Sequence, residues 1–179
     1  RRAAQRIAQA LQARARPDWR VLLVGERPTH AALEALRRAG GAAPTVVVAS
    51  GALWQGIDVP GEALQLLVID KLPFAPPDDP WLRQRLARAQ ALGADPFSEV
   101  QLADAAMALR QGVGRLIRRA GDRGLIVIGD VRLRRRAYGP ALLAALPPSR
   151  WLDTEGEVDA WLGELAALTR ASTTDRSTS

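Results

Sequence analysis

Leu102-Ala-Asp-Ala-Ala-Met-Ala-Leu-Arg-Gln-Gly-Val-Gly-Arg-Leu-Ile-Arg-Arg119, followed after a short break by Leu125-Ile-Val-Ile128, decides the fold class of this chain. At about 100° per residue, Leu102, Ala106, Leu109, Val113 and Leu116 fall on one side of a helix, and Gln111, Gly114, Arg115 and Arg118 fall on the other. The pattern predicts a helix from about Ser98 to Arg119, closed by Gly121. Leu125–Ile128 is short, branched and apolar throughout, as a strand buried on both faces must be. A helix that feeds such a strand is the unit of a parallel sheet.

The same alternation extends outward in both directions. Val21–Val24, Thr45–Ala49 and Leu66–Ile69 read as further buried strands. Helical patterns fall between them: Arg1 to Ala15, Thr29 to Ala39 closed by Gly40-Gly41, and Pro80 to Leu92 closed by Gly93. Together these predict an α/β fold, a mostly parallel sheet with helices on both faces, over residues 1–150. Pro147-Pro148 then stops the chain, and Thr154-x-x-Glu157 opens a last helix with Val158, Trp161, Leu162 and Leu165 on one stripe. That helix, residues 151–170, is expected to dock on the domain, and the Ser/Thr-rich residues 171–179 to be disordered. The chain opens on Arg1 and its one methionine is Met107, so it is expected to be a piece of a longer polypeptide.

Composition removes several classes of chemistry. The 179 residues contain no cysteine and one histidine, His30, which excludes Cys/His zinc sites, iron–sulfur ligation, disulfides and thiol nucleophiles within this chain. No apolar run approaches the roughly 20 residues of a spanning helix. The net charge of +6 is almost wholly guanidinium, because Lys71 is the single lysine. Guanidinium is shaped for bidentate bonds to phosphate or carboxylate, which suits an anionic partner, although a GC-rich genome also favours arginine codons.

Two stretches carry candidate chemistry. On the long helix, two arginines one turn apart beside a glycine offer a surface that an oligophosphate can approach closely. The same face also reads as a solvated one whose arginines pair with Asp104 or Asp122. The second stretch, Ser50-Gly-Ala-Leu-Trp-Gln-Gly-Ile-Asp-Val-Pro-Gly61, follows a strand and so lies where parallel sheets bind ligands. Asp58 there can accept from a hydroxyl or from arginine, and Trp54 either stacks on a base or fills the core. Gly112-Val113-Gly114 is no dinucleotide fingerprint, since helix precedes it and the third glycine position holds Ile117. No phosphate-binding P-loop is present, and His30, at a helix start, is a cap neighbour rather than a catalytic base.

Ser50 to Gly61 resembles motif V, and Gln111 to Arg118 resembles motif VI, of superfamily-two helicases in the wording of the DinG/XPD branch. Val68-Ile-Asp-Lys-Leu-Pro-Phe-Ala-Pro-Pro-Asp-Asp-Pro80, Gly129-Asp-Val-Arg-Leu133 and Tyr138-Gly139 are similar to the DinG and YoaA type, and the likeness covers about residues 20–147 in order. Gln55 departs from it, standing where the DinG type has Glu.

The resemblance implies the second RecA-like motor domain, of P-loop NTPase type, of an ATP-dependent DNA helicase engaged in DNA repair. Arg115 and Arg118 are then arginine fingers on the terminal phosphates of ATP, with Gln111 assisting. Gly56, Asp58 and Gly114 couple nucleotide state to single-stranded DNA that runs past Ser50, Gly51 and Trp54. ATP and Mg²⁺ are held mainly by the N-terminal RecA-like domain of the same polypeptide, as is any iron–sulfur cluster, and no metal is expected in this chain. A cytoplasmic bacterial protein working at the nucleoid is implied, inactive as this fragment. Two other classes stand beside this: a stand-alone nucleic-acid or protein-binding module, and a small-molecule-binding α/β domain with an apolar pocket at the strand ends.

Overall fold

The computed structural model describes residues 2–25, 28–38, 44–49, 64–117 and 122–176, with side chains to residue 167. Their order is α1 (Arg2–Arg14), β1 (Arg20–Leu23), α2 (Thr29–Arg38), β2 (Thr45–Val48), β3 (Leu66–Ile69), α3 (Pro80–Ala91), a π-helical segment (Phe97–Leu102), α4 (Ala103–Leu116), β4 (Leu125–Ile128), α5 (Arg132–Arg135), α6 (Gly139–Ala144) and α7 (Glu155–Arg176). Among the described residues no helix is long and apolar enough to cross a membrane.

All four strands lie within a residue of the apolar runs that predicted them, and each pairs in parallel. β1 pairs with β2 from Arg20–Thr45 to Leu23–Val48, and β3 with β4 from Leu66–Leu125 to Ile69–Ile128. Successive side chains on a strand point to opposite faces. Val21, Leu23, Val46 and Val48 accordingly meet Ala4 and Ala8 of α1, while Val47 meets Leu33 and Leu36 of α2. This pair has a helix on each face. In the second pair Leu67, Ile69, Ile126 and Ile128 pack with Ala105 and Leu109 of α4, Leu133 of α5 and Leu142 of α6. Its other face, with Leu66, Val68 and Val127, is exposed.

The expected single sheet is therefore, among the described residues, two two-stranded parallel sheets. A parallel pair needs only one crossover, and each pair closes its own: α2 for the first, α3 and α4 for the second. Residues 50–63, which join the halves, lie outside the described residues.

The helices begin and end for local reasons. Asp79 caps α3, accepting from the Leu82 amide at 3.0 Å with Pro80 in the first turn, and Gly93 at φ +76° follows its end. Two features correct the expectation of one α-helix from Ser98 to Arg119. It starts with a π-helical turn, whose first amides at Phe97 and Ser98 are taken by the Asp95 carboxylate at 3.3 and 3.1 Å. It also stops at Leu116, because β-branched Ile117 leaves the helix for extended backbone at φ −117°, ψ 104°.

The capping box forms as the sequence reads. The Glu157 amide donates to Thr154 Oγ1 at 3.2 Å, and the Thr154 amide donates to the Glu157 carboxylate at 3.1 Å. α7 then runs to Arg176, past residue 170, into the segment whose composition suggested disorder. A nucleated helix adds one bond per residue, and no Gly or Pro follows Gly163 to break it.

Candidate phosphate-facing site on α4

α4 is pinned by its apolar side. Ala105, Leu109, Val113 and Leu116 are fully buried, and that burial orients the opposite face outward. Gln111 and Gly114 are exposed there and Arg115 is half-buried, in the division that the helical period predicts. Burying a leucine contributes about 2 kcal/mol, so the rotational setting of α4 is fixed by Leu109 and Leu116 rather than by its polar residues.

Asp104 does not neutralise that face. It is taken by Arg85 of α3, whose two terminal nitrogens donate to its carboxylate at 2.5 and 2.9 Å. The side chain of Arg115, eleven residues further along α4, forms no ion pair or hydrogen bond with any described residue. A Cβ built on Gly114 meets nothing within 4 Å. Among the described residues, the last two turns of α4 thus present the Arg115 guanidinium without a partner beside backbone left open at Gly114. Such a surface suits an anion that offers two oxygens to a guanidinium fork, as phosphate and carboxylate do.

Of the other candidate residues, Arg118, Ser50, Gly51, Trp54, Gly56 and Asp58 lie outside the described residues, as does Gln55. Residues 50–61 follow the carboxyl end of β2, and Asp70 and Gly129 follow those of β3 and β4.

The carboxyl ends of β3 and β4 are joined by an arrangement to which the sequence reading gave no role. Asp130 accepts from the Leu72 amide at 2.9 Å and from the Arg132 amide at 3.0 Å, and it receives the Arg132 side chain at 2.6 to 3.1 Å. These donors, the Arg132 side chain first, hold its carboxyl well below the usual carboxylate range. The Arg132 guanidinium lies 5.4 Å from the Phe74 ring centroid. Phe74, Phe97 and Tyr138 form a three-ring cluster with centroids 5.3 to 6.0 Å apart. The signal in the sequence was the Asp-x-Arg spacing, since a carboxylate two residues before an arginine favours a local fork, but its link to Leu72 is long-range.

The profile of the helicase C-terminal domain matches residues 1–149. The chain is 50% identical over 140 residues to YoaA of Escherichia coli, named an ATP-dependent DNA helicase, covering 78% of this chain and 22% of that protein. It is 39% identical over 165 residues to DinG of Mycobacterium tuberculosis (strain ATCC 25618 / H37Rv), named an ATP-dependent helicase, covering 92% and 24%. It is 37% identical over 118 residues to DinG of Bacillus subtilis (strain 168), named a 3'-5' exonuclease, covering 65% and 13%. The chain spans less than a quarter of the length of these relatives.

Proposed function

Since this chain belongs to the helicase C-terminal domain family, in its DinG and YoaA branch, we propose that it is the second motor domain of an ATP-dependent DNA helicase. The proposal includes the complete RecA-like architecture, one mostly parallel sheet with helices on both faces. Arg115 and Arg118 meet the terminal phosphates of ATP, with Gln111 assisting. Gly56, Asp58 and Gly114 relay nucleotide state to a single strand passing Ser50, Gly51 and Trp54. ATP and Mg²⁺ are held mainly by the N-terminal motor domain of the same polypeptide, to which any iron–sulfur cluster also belongs.

The observation that carries this reading is the state of Arg115. A half-buried arginine that pairs with no acid among the described residues, set against backbone open at Gly114, suits an approaching phosphate. A guanidinium placed where charge develops on the transferring phosphoryl group accelerates related hydrolases by roughly 10³ to 10⁵. ATP supplies the anhydride bond, and this domain supplies positive charge and position. In the full-length protein, Arg115→Ala is expected to lower kcat for DNA-stimulated ATP hydrolysis at least a hundredfold, with nucleotide affinity changed far less. Equal losses in affinity and turnover would remove Arg115 from the transition state and overturn the assignment.

A further inference from the structure

Trp81 is the most exposed aromatic side chain among the described residues, with 69% of its surface open to water. A tryptophan buries more apolar area than other side chains when it packs, so leaving one open has a cost that an isolated domain gains nothing from. Trp81 stands in the first turn of α3, and the residues one turn on, Gln84 and Arg85, are polar. The helix Pro80–Ala91 holds Arg83, Arg85 and Arg88 and no acidic residue. At helical spacing Trp81, Gln84 and Arg88 form one outward stripe, opposite the buried Leu82 and Ala89.

The charges on this helix differ in what they touch. Arg85 is bound to Asp104, which fixes α3 against α4, and Arg83 donates weakly to the backbone oxygen of Asp78 at 3.4 Å. Asp79 is engaged in the helix cap. The Arg88 side chain has no ion pair or hydrogen bond with any described residue. An open indole and an open guanidinium therefore share one rigid face, two turns or about 10 Å apart along the axis.

We propose that this outer face of α3 is a contact for single-stranded nucleic acid, with an unpaired base stacking on Trp81 and a neighbouring phosphate on Arg88. Stacking on an aromatic side chain is indifferent to base identity, and a guanidinium tracks the backbone, so the contact reads strand rather than sequence. In the chain α3 follows β3 after residues 70–79. The inference rests on the helicase reading above and adds to it a contact outside the motif-like stretches.

The test uses the 179-residue chain and a fluorescein-labelled oligothymidylate, with anisotropy recorded across a salt series. Trp81→Ala is expected to weaken binding about fivefold or more, and Trp81→Phe to restore most of it. Arg88→Ala should reduce the slope of log affinity against log salt by about 0.7, one phosphate contact on a single strand. Binding should quench tryptophan emission in the wild type and much less in Trp81→Phe, a signature that a merely structural role does not give. Circular dichroism should show the same fold in all variants, since the replaced side chains are exposed.

Wild-type affinity and salt slope in both Trp81→Ala and Arg88→Ala would overturn the proposal while leaving the motor-domain reading intact. Self-association of the chain that Trp81→Ala abolishes, with strand binding unchanged, would also overturn it and make the face a contact between copies. Retention of an acidic peptide in preference to the oligonucleotide would overturn it in favour of a protein partner. No binding by the wild type at low salt would overturn it and remove the single strand from the broader reading, while the kinetic role of Arg115 keeps its own test.

Discussion

Asp130, just beyond β4, holds the backbone amide of Leu72, just beyond β3, at 2.9 Å across 58 residues of chain. That bond and the fork from Arg132 tie together the loops at the carboxyl ends of two paired strands. Asp130→Ala leaves the Leu72 amide without its acceptor and Arg132 without its carboxylate, at a cost of about 1 to 3 kcal/mol. Urea denaturation at pH 7 measures it. The carboxyl is held below its ordinary range, so its contribution is full above the unfolded value near 4 and fades as pH falls through the folded one. The stability difference between wild type and Asp130→Asn should therefore be constant from pH 8 to pH 5 and close only in strong acid.

Gly139 admits no side chain. A Cβ there would lie 1.9 Å from the Leu133 carbonyl oxygen, and both residues are buried. Gly139→Ala must push α6 away from α5, a shift that costs about 3 kcal/mol or more. Thermal unfolding of the two proteins is the measurement, and an unchanged Tm would contradict the close approach.

Gly114 presents the reverse case. With nothing within 4 Å of a Cβ, alanine is free to enter, and in a helix interior it should stabilise by about 0.5 to 1 kcal/mol. In the full-length protein the same substitution is expected to lower ATP turnover, because the methyl group occupies the space proposed for phosphate. Higher stability with lower turnover separates the two roles, and higher stability with full turnover argues against phosphate approach at this position.

The isolated chain should hydrolyse no ATP above background with or without single-stranded DNA, since the proposed motor needs a second domain to bind nucleotide. A coupled assay at micromolar protein decides this, and DNA-stimulated turnover by the chain alone would refute the division of labour.

Thr154→Ala removes the acceptor for the Glu157 amide, a loss of about 1 kcal/mol for a helix cap. The loss is local, so faster amide exchange at residues 155–158 is the expected readout. The Asp153 and Thr154 amides hold the Glu157 carboxyl below its ordinary range. The start of α7 should accordingly loosen as pH falls below about 4.

Local pattern carried much of this structure. β3 and β4 coincide with their apolar runs, and the polar face of α4 is where a period of 3.6 sets it. What escaped was determined at a distance or by subtle backbone choices. The π-helical turn at Phe97–Leu102 uses residues equally suited to an α-helix, so composition does not betray it. The Asp130–Leu72 bond joins positions whose proximity depends on strands pairing first. Gly139 looks like an ordinary helix start until the Leu133 carbonyl is placed beside it. Of the residues proposed for the site, Gln111, Gly114 and Arg115 lie on the outward face of α4; Arg118 and residues 50–61 lie outside the described residues.

The self-contained strand pairs have a kinetic consequence. Partners in the first pair, such as Arg20 and Thr45, are 25 positions apart, against 59 for Leu66 and Leu125 in the second. By loop-closure entropy the second costs about 0.8 kcal/mol more to bring together, before any contact offsets it. Refolding should then start at the amino-terminal half, around α2, with amide protection in β2 preceding that in β4. The half that carries Arg115 is then expected to assemble later, with the burial of Leu109 and Leu116.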